Sequence, residues 1–243
     1  MSSLARLRTL RSRIVSRRHT ALLVAIVGAI AVRPMIGDKG IGPGLFSIAM
    51  LMLMIVALYT VQVDELAGER DVVLAQRRRR SIVGWTLAVL AIAERLGTLF
   101  APSPELYIIG SVSWMLFFGF VTWVELRSVL KQKEITSETI SMSISVYLLF
   151  AVTCGLLYAV IFERHPEAFS FGSTPAPSMA EQNVFAVFVY FSLTTLSTIG
   201  FGDITPLTLP ARYAAVAEGI TGQFYLAILV ARLVGMQMSR SAN

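Results

Sequence analysis

Charge is scarce in this chain: only 15% of its 243 residues are Asp, Glu, Lys or Arg, while 55% are hydrophobic. A soluble domain carries about a quarter charged residues, so the composition excludes an ordinary water-soluble fold and points to a membrane. There is a single cysteine, Cys154. That excludes an intrachain disulfide and a cysteine metal cluster, and its place in an apolar run makes it a small core residue. No nucleotide-binding loop, HExxH zinc motif or nucleophile elbow occurs, so neither enzymatic activity nor a cofactor is expected. The net charge of +6 does not mark a nucleic-acid binder, because the basic residues fall in short runs between apolar stretches.

What is present is long apolar runs. A bilayer core of roughly 30 Å takes about 20 apolar helical residues. Six runs of suitable length occur, at 20–36, 45–63, 81–101, 106–124, 141–162 and 210–238. A seventh, 184–196, is too short to cross and ends in a Thr/Gly-rich stretch, which suits a re-entrant half-helix. Basic residues mark alternate connections: Arg6, Arg8, Arg11, Arg13, Arg17 and Arg18, then Arg70 and Arg77 to Arg80, then Arg127, Lys131 and Lys133, then Arg240. The other connections hold only Lys39 and Arg164, with Arg212 opening the last run. By the positive-inside rule both termini are expected in the cytoplasm and the short run enters from outside.

Before the first run, Leu4, Leu7, Leu10 and Ile14 recur at near-helical spacing among arginines, as in an interfacial helix attracted to anionic lipid. An organelle transit peptide shares that composition, so both readings stand. No small-residue cleavage site follows the first run, which argues against a secretory signal.

The stretch Thr194-Thr195-Leu196-Ser197-Thr198-Ile199-Gly200-Phe201-Gly202-Asp203 lies between the half-helix and the last run. Together with its flanking helices, from Ser141 onward, it resembles the pore module of the potassium channel family. The resemblance covers about 100 residues, two-fifths of the chain. It implies a selectivity filter in which the carbonyls of Thr198, Ile199, Gly200 and Phe201, and the Thr198 hydroxyl, replace the hydration shell of K+ ions. Aiming successive carbonyls at one axis needs backbone angles that alternate in sign, which Gly200 and Gly202 tolerate and β-branched or aromatic residues do not. Phe201 stands where most members carry Tyr. Tyr190 and Phe191 fall where the family places an aromatic cuff, with Thr195 in the supporting turn. Asp203 matches a carboxylate at the outer mouth. Thr194 stands where some members carry a Glu that bonds to that Asp. One pore motif cannot ring an ion, so several copies must meet at an axis, and the family number is four.

In the last run Gly222 aligns with the family's inner-helix hinge, and Gly219 and Gly222 either bend the helix or let it pack closely. Leu226, Val230 and Val234 return to one face and are candidates to line an inner cavity. Glu218 is costly to ionise in lipid and is expected neutral or paired behind the filter. Arg232 is expected to snorkel.

Four helices before such a module resemble the layout of voltage-gated channels, yet the fourth run, LYIIGSVSWMLFFGFVTWV, has no basic residue. Steep voltage dependence is not expected. Arg33, Glu94 and Arg95 are intramembrane charges, read as functional or as pairs holding the bundle. Outer acids Asp38, Glu105, Glu163, Glu167 and Glu181 form either a cation-attracting vestibule or scattered surface charge. The outer loop 163–183 is expected to be an irregular turret, and 125–140 an amphipathic helix at the inner surface.

The expected fold class is an all-α membrane protein with six transmembrane helices, a re-entrant pore helix and a filter. Its expected parts are a basic segment 1–19, a four-helix unit 20–124, a linker 125–140, a pore domain 141–238 and a short tail 239–243, too short for a ligand-binding domain. The expected partners are three identical subunits and the lipid bilayer of a prokaryotic inner membrane. A less selective monovalent cation channel, a secondary cation transporter and a non-conducting membrane regulator are the alternatives.

Overall fold

The computed structural model describes residues 17–36, 42–66, 74–100, 104–132, 134–172, 176–177 and 184–241. The helices are α1 (Arg18–Ile36), α2 (Gly42–Leu66), α3 (Leu74–Phe100), α4 (Pro104–Lys131), α5 (Ser137–Arg164), α6 (Val184–Leu196) and α7 (Leu209–Ser241). All six long apolar runs are helical, because a chain with no water to solvate its amides must pair them internally.

Among the described residues, four helices are long and apolar enough to cross a membrane, over Leu45–Gln62, Glu105–Lys131, Ser137–Arg164 and Leu209–Met238. In α1 and α3 the apolar part is shorter, Arg18–Val32 and Ser81–Ala93. The expected count of six crossings is therefore supported by length and composition for four. Both stretches end where the described side chains end, at Arg33 in α1 and at Arg80 and Glu94 in α3. The side chains of Arg33, Glu94 and Arg95 lie outside those described, as do Asp38, Glu181 and residues 1–16.

The linker expected at 125–140 is not a separate helix. With no glycine or proline after Val124, α4 runs on through Lys131. The break is set by α5, whose capping box begins at Thr136: Thr139 N donates to Thr136 Oγ1 at 3.2 Å and Thr136 N to Thr139 Oγ1 at 3.4 Å. The outer loop begins with regular structure at 166–170. A 3-10 turn at Pro166–Ala168 leads into strand β1 (Phe169–Ser170), paired antiparallel with β2 (Thr205–Pro206) in the register Phe169↔Pro206 and Ser170↔Thr205. Leu207 N extends the ladder to Ala168 O at 2.8 Å. This ladder ties the segment after the glycine stretch to the end of α5.

Of the first four helices, α1 and α4 pack on α5 of the same chain, while α2 packs on α1 and α3 on α4. A core of Leu22, Ile26, Leu53, Met54, Phe117, Phe118 and Leu149 joins these elements. A second, aromatic core of Tyr158, Phe162, Phe169, Phe188 and Phe191 locks α5, β1 and α6 together. Its rings meet mostly edge to face, as at Phe169–Phe188, 4.8 Å apart and 63° inclined. Glu138 of α5 accepts from His19 N at 3.1 Å and Thr20 Oγ1 at 2.6 Å, satisfying the start of α1.

By contrast only 11% of the α7 span is buried within the chain. Tyr213, Val216, Ile220, Phe224, Ile228 and Val230 are all exposed. Arg232 does not snorkel away: its guanidinium donates to the carbonyls of Val129, Leu130 and Gln132 at 2.7, 2.8 and 2.6 Å. It thus caps carbonyls at the end of α4 and fastens the C-terminal part of α7 to that helix.

Candidate functional site

The site is built where α6 ends. Its last turn leaves free carbonyls, and the following backbone folds back to use them. Thr198 N donates to Thr195 O at 3.0 Å, while Ile199 N and Gly200 N both donate to Thr194 O, at 2.9 and 3.1 Å. The backbone beyond then alternates: Thr198, Gly200 and Gly202 have φ of 59°, 55° and 78°, and the intervening Ile199 and Phe201 do not share that region. Thr198 is the surprise, because a β-branched residue was expected to refuse a left-handed angle. It costs about 1–2 kcal/mol, and the three amide bonds to the end of α6 hold it there. Residues 198 to 203 are all exposed in the single chain.

Tyr190 and Phe191, grouped by sequence, point to different neighbours. The Tyr190 ring stacks on Phe201, 6.3 Å away and 3° from parallel, and its hydroxyl donates to Asp203 Oδ2 at 2.8 Å. Phe191 is buried in the aromatic core, 5.0 Å from Tyr158 and 5.7 Å from Phe169. Asp203 is thus held to α6 by position 190. The Thr194 hydroxyl instead turns back to Phe191 O at 2.9 Å, too short to reach where a longer acid would.

α7 runs as one helix through Gly219 and Gly222. Gly222 is buried against the end of α6, and Tyr147 of α5 donates to Leu196 O there at 3.1 Å. Tyr147 also stacks on Tyr225, whose hydroxyl donates to Ser143 O at 2.7 Å. Leu226, Val230 and Val234 are exposed.

Glu218 is buried behind the site, 2% exposed, where α5, α6 and α7 meet. It accepts from Tyr158 Oη at 2.6 Å and lies against Ser192 Oγ, which also donates to Ala151 O at 2.7 Å. Ser192 has one hydroxyl hydrogen and two acceptor contacts, so a proton on the Glu218 carboxyl closes the set. Glu218→Gln keeps a donor and an acceptor in place and is expected to unfold within about 1 kcal/mol of the parent, whereas Glu218→Ala leaves Tyr158 Oη without its acceptor beside an emptied buried site and is expected to lose about 2–4 kcal/mol. Thermal unfolding of both purified variants measures this; equal losses would contradict the network. Tyr158, Ser192, Tyr147 and Tyr225 were not among the sequence candidates. Ser192 carried the one available signal, a hydroxyl inside an otherwise apolar turn of the half-helix.

Three of the outer acids lie among the described residues. Glu163 bonds sideways to Ser111 of α4 at 3.0 Å, and Glu167 is exposed beside His165 at 3.2 Å. Glu105 is exposed at the start of α4.

A family model described as an ion channel matches residues 109–238, over half of the chain. Protein LctB of Geobacillus stearothermophilus is 25% identical over 122 residues, 49% of this chain and 87% of that protein. LctB of Bacillus caldotenax gives the same identity and coverage. Two-pore potassium channel 4 of Arabidopsis thaliana is 36% identical over 66 residues, 27% of this chain and 23% of that protein. No solved structure shows a significant match. The match covers α5, the half-helix with its glycine stretch, and nearly all of α7, so this chain belongs to the ion channel family, consistent with the potassium channel resemblance of its glycine stretch.

Proposed function

We propose that the chain is one of four identical subunits of a potassium-selective channel that conducts passively and without steep voltage dependence. Both termini would face the cytoplasm of a prokaryotic inner membrane, with anionic lipid at the basic N-terminal segment. The observation that carries this reading is the sign alternation at Thr198, Gly200 and Gly202, anchored to the end of a half-helix. That backbone favours a row of carbonyls directed one way, the arrangement a dehydrated K+ ion needs. In the proposed assembly the carbonyls of Thr198, Ile199, Gly200 and Phe201 coordinate the ion, and Asp203 draws cations to the outer mouth.

The exposed apolar sides of α7 support several subunits around one axis, since a helix so little covered by its own chain needs other surfaces. The voltage reading rests on α4, whose basic residues Arg127 and Lys131 lie in its last turns, with the Arg127 guanidinium 4.6 Å above the Trp123 ring.

In planar bilayers with a tenfold potassium gradient and the opposite sodium gradient, the reversal potential is expected near the potassium equilibrium value. That is about 59 mV in magnitude, from about 1.36 kcal/mol per factor of ten and about 2.3 kcal/mol per charge per 100 mV. A value following sodium would refute selectivity.

A further inference from the structure

A cavity of about 130 Å³ lies between α2, α4, α5 and the start of α6, away from the glycine stretch. Its walls are mostly apolar, and four aromatic rings stand in them: Phe46, Tyr107, Trp114 and Phe185. Among the described residues one acid enters, Glu163. Its Oε1 accepts from Ser111 Oγ at 3.0 Å, while Oε2 is buried with no hydrogen-bond partner. Among the described residues, no lysine or arginine lines the cavity. A buried carboxylate oxygen without a donor is costly, and a partner of opposite charge offsets that cost best. Aromatic faces around it also attract cations, and Trp and Tyr do so most strongly. An anion would meet Glu163 with like charge, and an uncharged apolar molecule would leave Oε2 unpaired. The volume is close to that of cavities of about 150 Å³ that take one benzene-sized group, so room exists for a small head and a short stem.

We propose that this cavity binds a primary ammonium group carried on an apolar stem, with the ammonium on Glu163 Oε2 among the rings and the stem along the aliphatic wall. Such a ligand touches α2 and α4 on one side and α5 and α6 on the other. It therefore joins the four-helix unit to the half-helix that carries the glycine stretch, and it depends on neither ion selectivity nor subunit number.

The probe is radiolabelled hexylammonium, added at neutral pH to the assembled full chain in non-ionic detergent, with hexan-1-ol as the uncharged control. Saturable binding is expected for hexylammonium and not for hexanol. Glu163→Gln is expected to weaken it about tenfold or more, and Tyr107→Leu by about threefold while leaving the acid in place. Elution of each variant as the parent's assembled species shows that folding is retained. Equal binding by the Gln variant, equal binding of hexanol, or no saturable binding at millimolar concentration would each overturn the proposal. Displacement of the probe by a lipid with an ethanolamine headgroup identifies the bilayer as the ligand's source, and its failure to displace identifies a soluble amine.

Discussion

Gly200→Ala is expected to abolish potassium current while the protein still assembles. Gly200 sits at φ 55°, and a Cβ built on it meets nothing within 4 Å in its own chain. The penalty is therefore one of backbone conformation and not of collision. An L-residue at that angle costs about 1–2 kcal/mol, and the peptide relieves it by rotating its carbonyl away from the row. Four copies placed around one proposed pore pay that cost together. At about 1.4 kcal/mol per factor of ten, a current loss of at least about 100-fold is expected. Nothing in the α5, α6 and α7 packing depends on the change, so elution as the parent's assembled species should persist. Single-channel recording beside size-exclusion chromatography makes the test, and selective currents of normal size would remove Gly200 from the ion path.

Gly222→Val is expected to be the most damaging change in α7. Any Cβ at 222 overlaps Leu196 Cδ1 and lies 2.9 Å from the Leu196 carbonyl oxygen, and the backbone part of that contact cannot swing aside. Overpacking by a single methyl costs about 1–3 kcal/mol, and valine adds two more carbons at the same place. Gly219 provides the control one turn earlier: its Cβ would stand 3.8 Å from Thr195 O, an ordinary contact. Gly219→Ala is expected to match or exceed the parent in thermal midpoint, since alanine is favoured over glycine in a helix by about 1 kcal/mol. Adding Leu196→Ala to Gly222→Val should restore part of the loss by removing the overlapping methyl. Equal unfolding of the 219 and 222 variants would favour bending over close packing at Gly222.

Helix positions were legible because apolar runs of membrane length have few alternatives, and α5, α6 and α7 lie within a residue or a turn of the runs at 141–162, 184–196 and 210–238. The end of α4 was not. Its last carbonyls take their donors from Arg232, about a hundred residues later, a contact that no local pattern announces. The glycines flagged the alternating backbone, but Thr198 could not be foreseen at a positive angle, because only the amide bonds to Thr194 and Thr195 offset its strain. Sequence neighbours 190 and 191 read as one aromatic cuff. A helix turns about 100° per residue, and that rotation sends Tyr190 to Phe201 and Phe191 to the aromatic core.

By itself, then, the sequence determined the solvent this protein lives in, its helices, and the membership carried by one ten-residue stretch, because those follow from composition and local covalent preference. The tertiary structure alone decided what each buried polar group meets. Glu218 closes on Tyr158 and Ser192, and Glu163 on Ser111 with one oxygen left over. These contacts join residues from separate helices, and their cost or benefit is set by burial that no local pattern encodes.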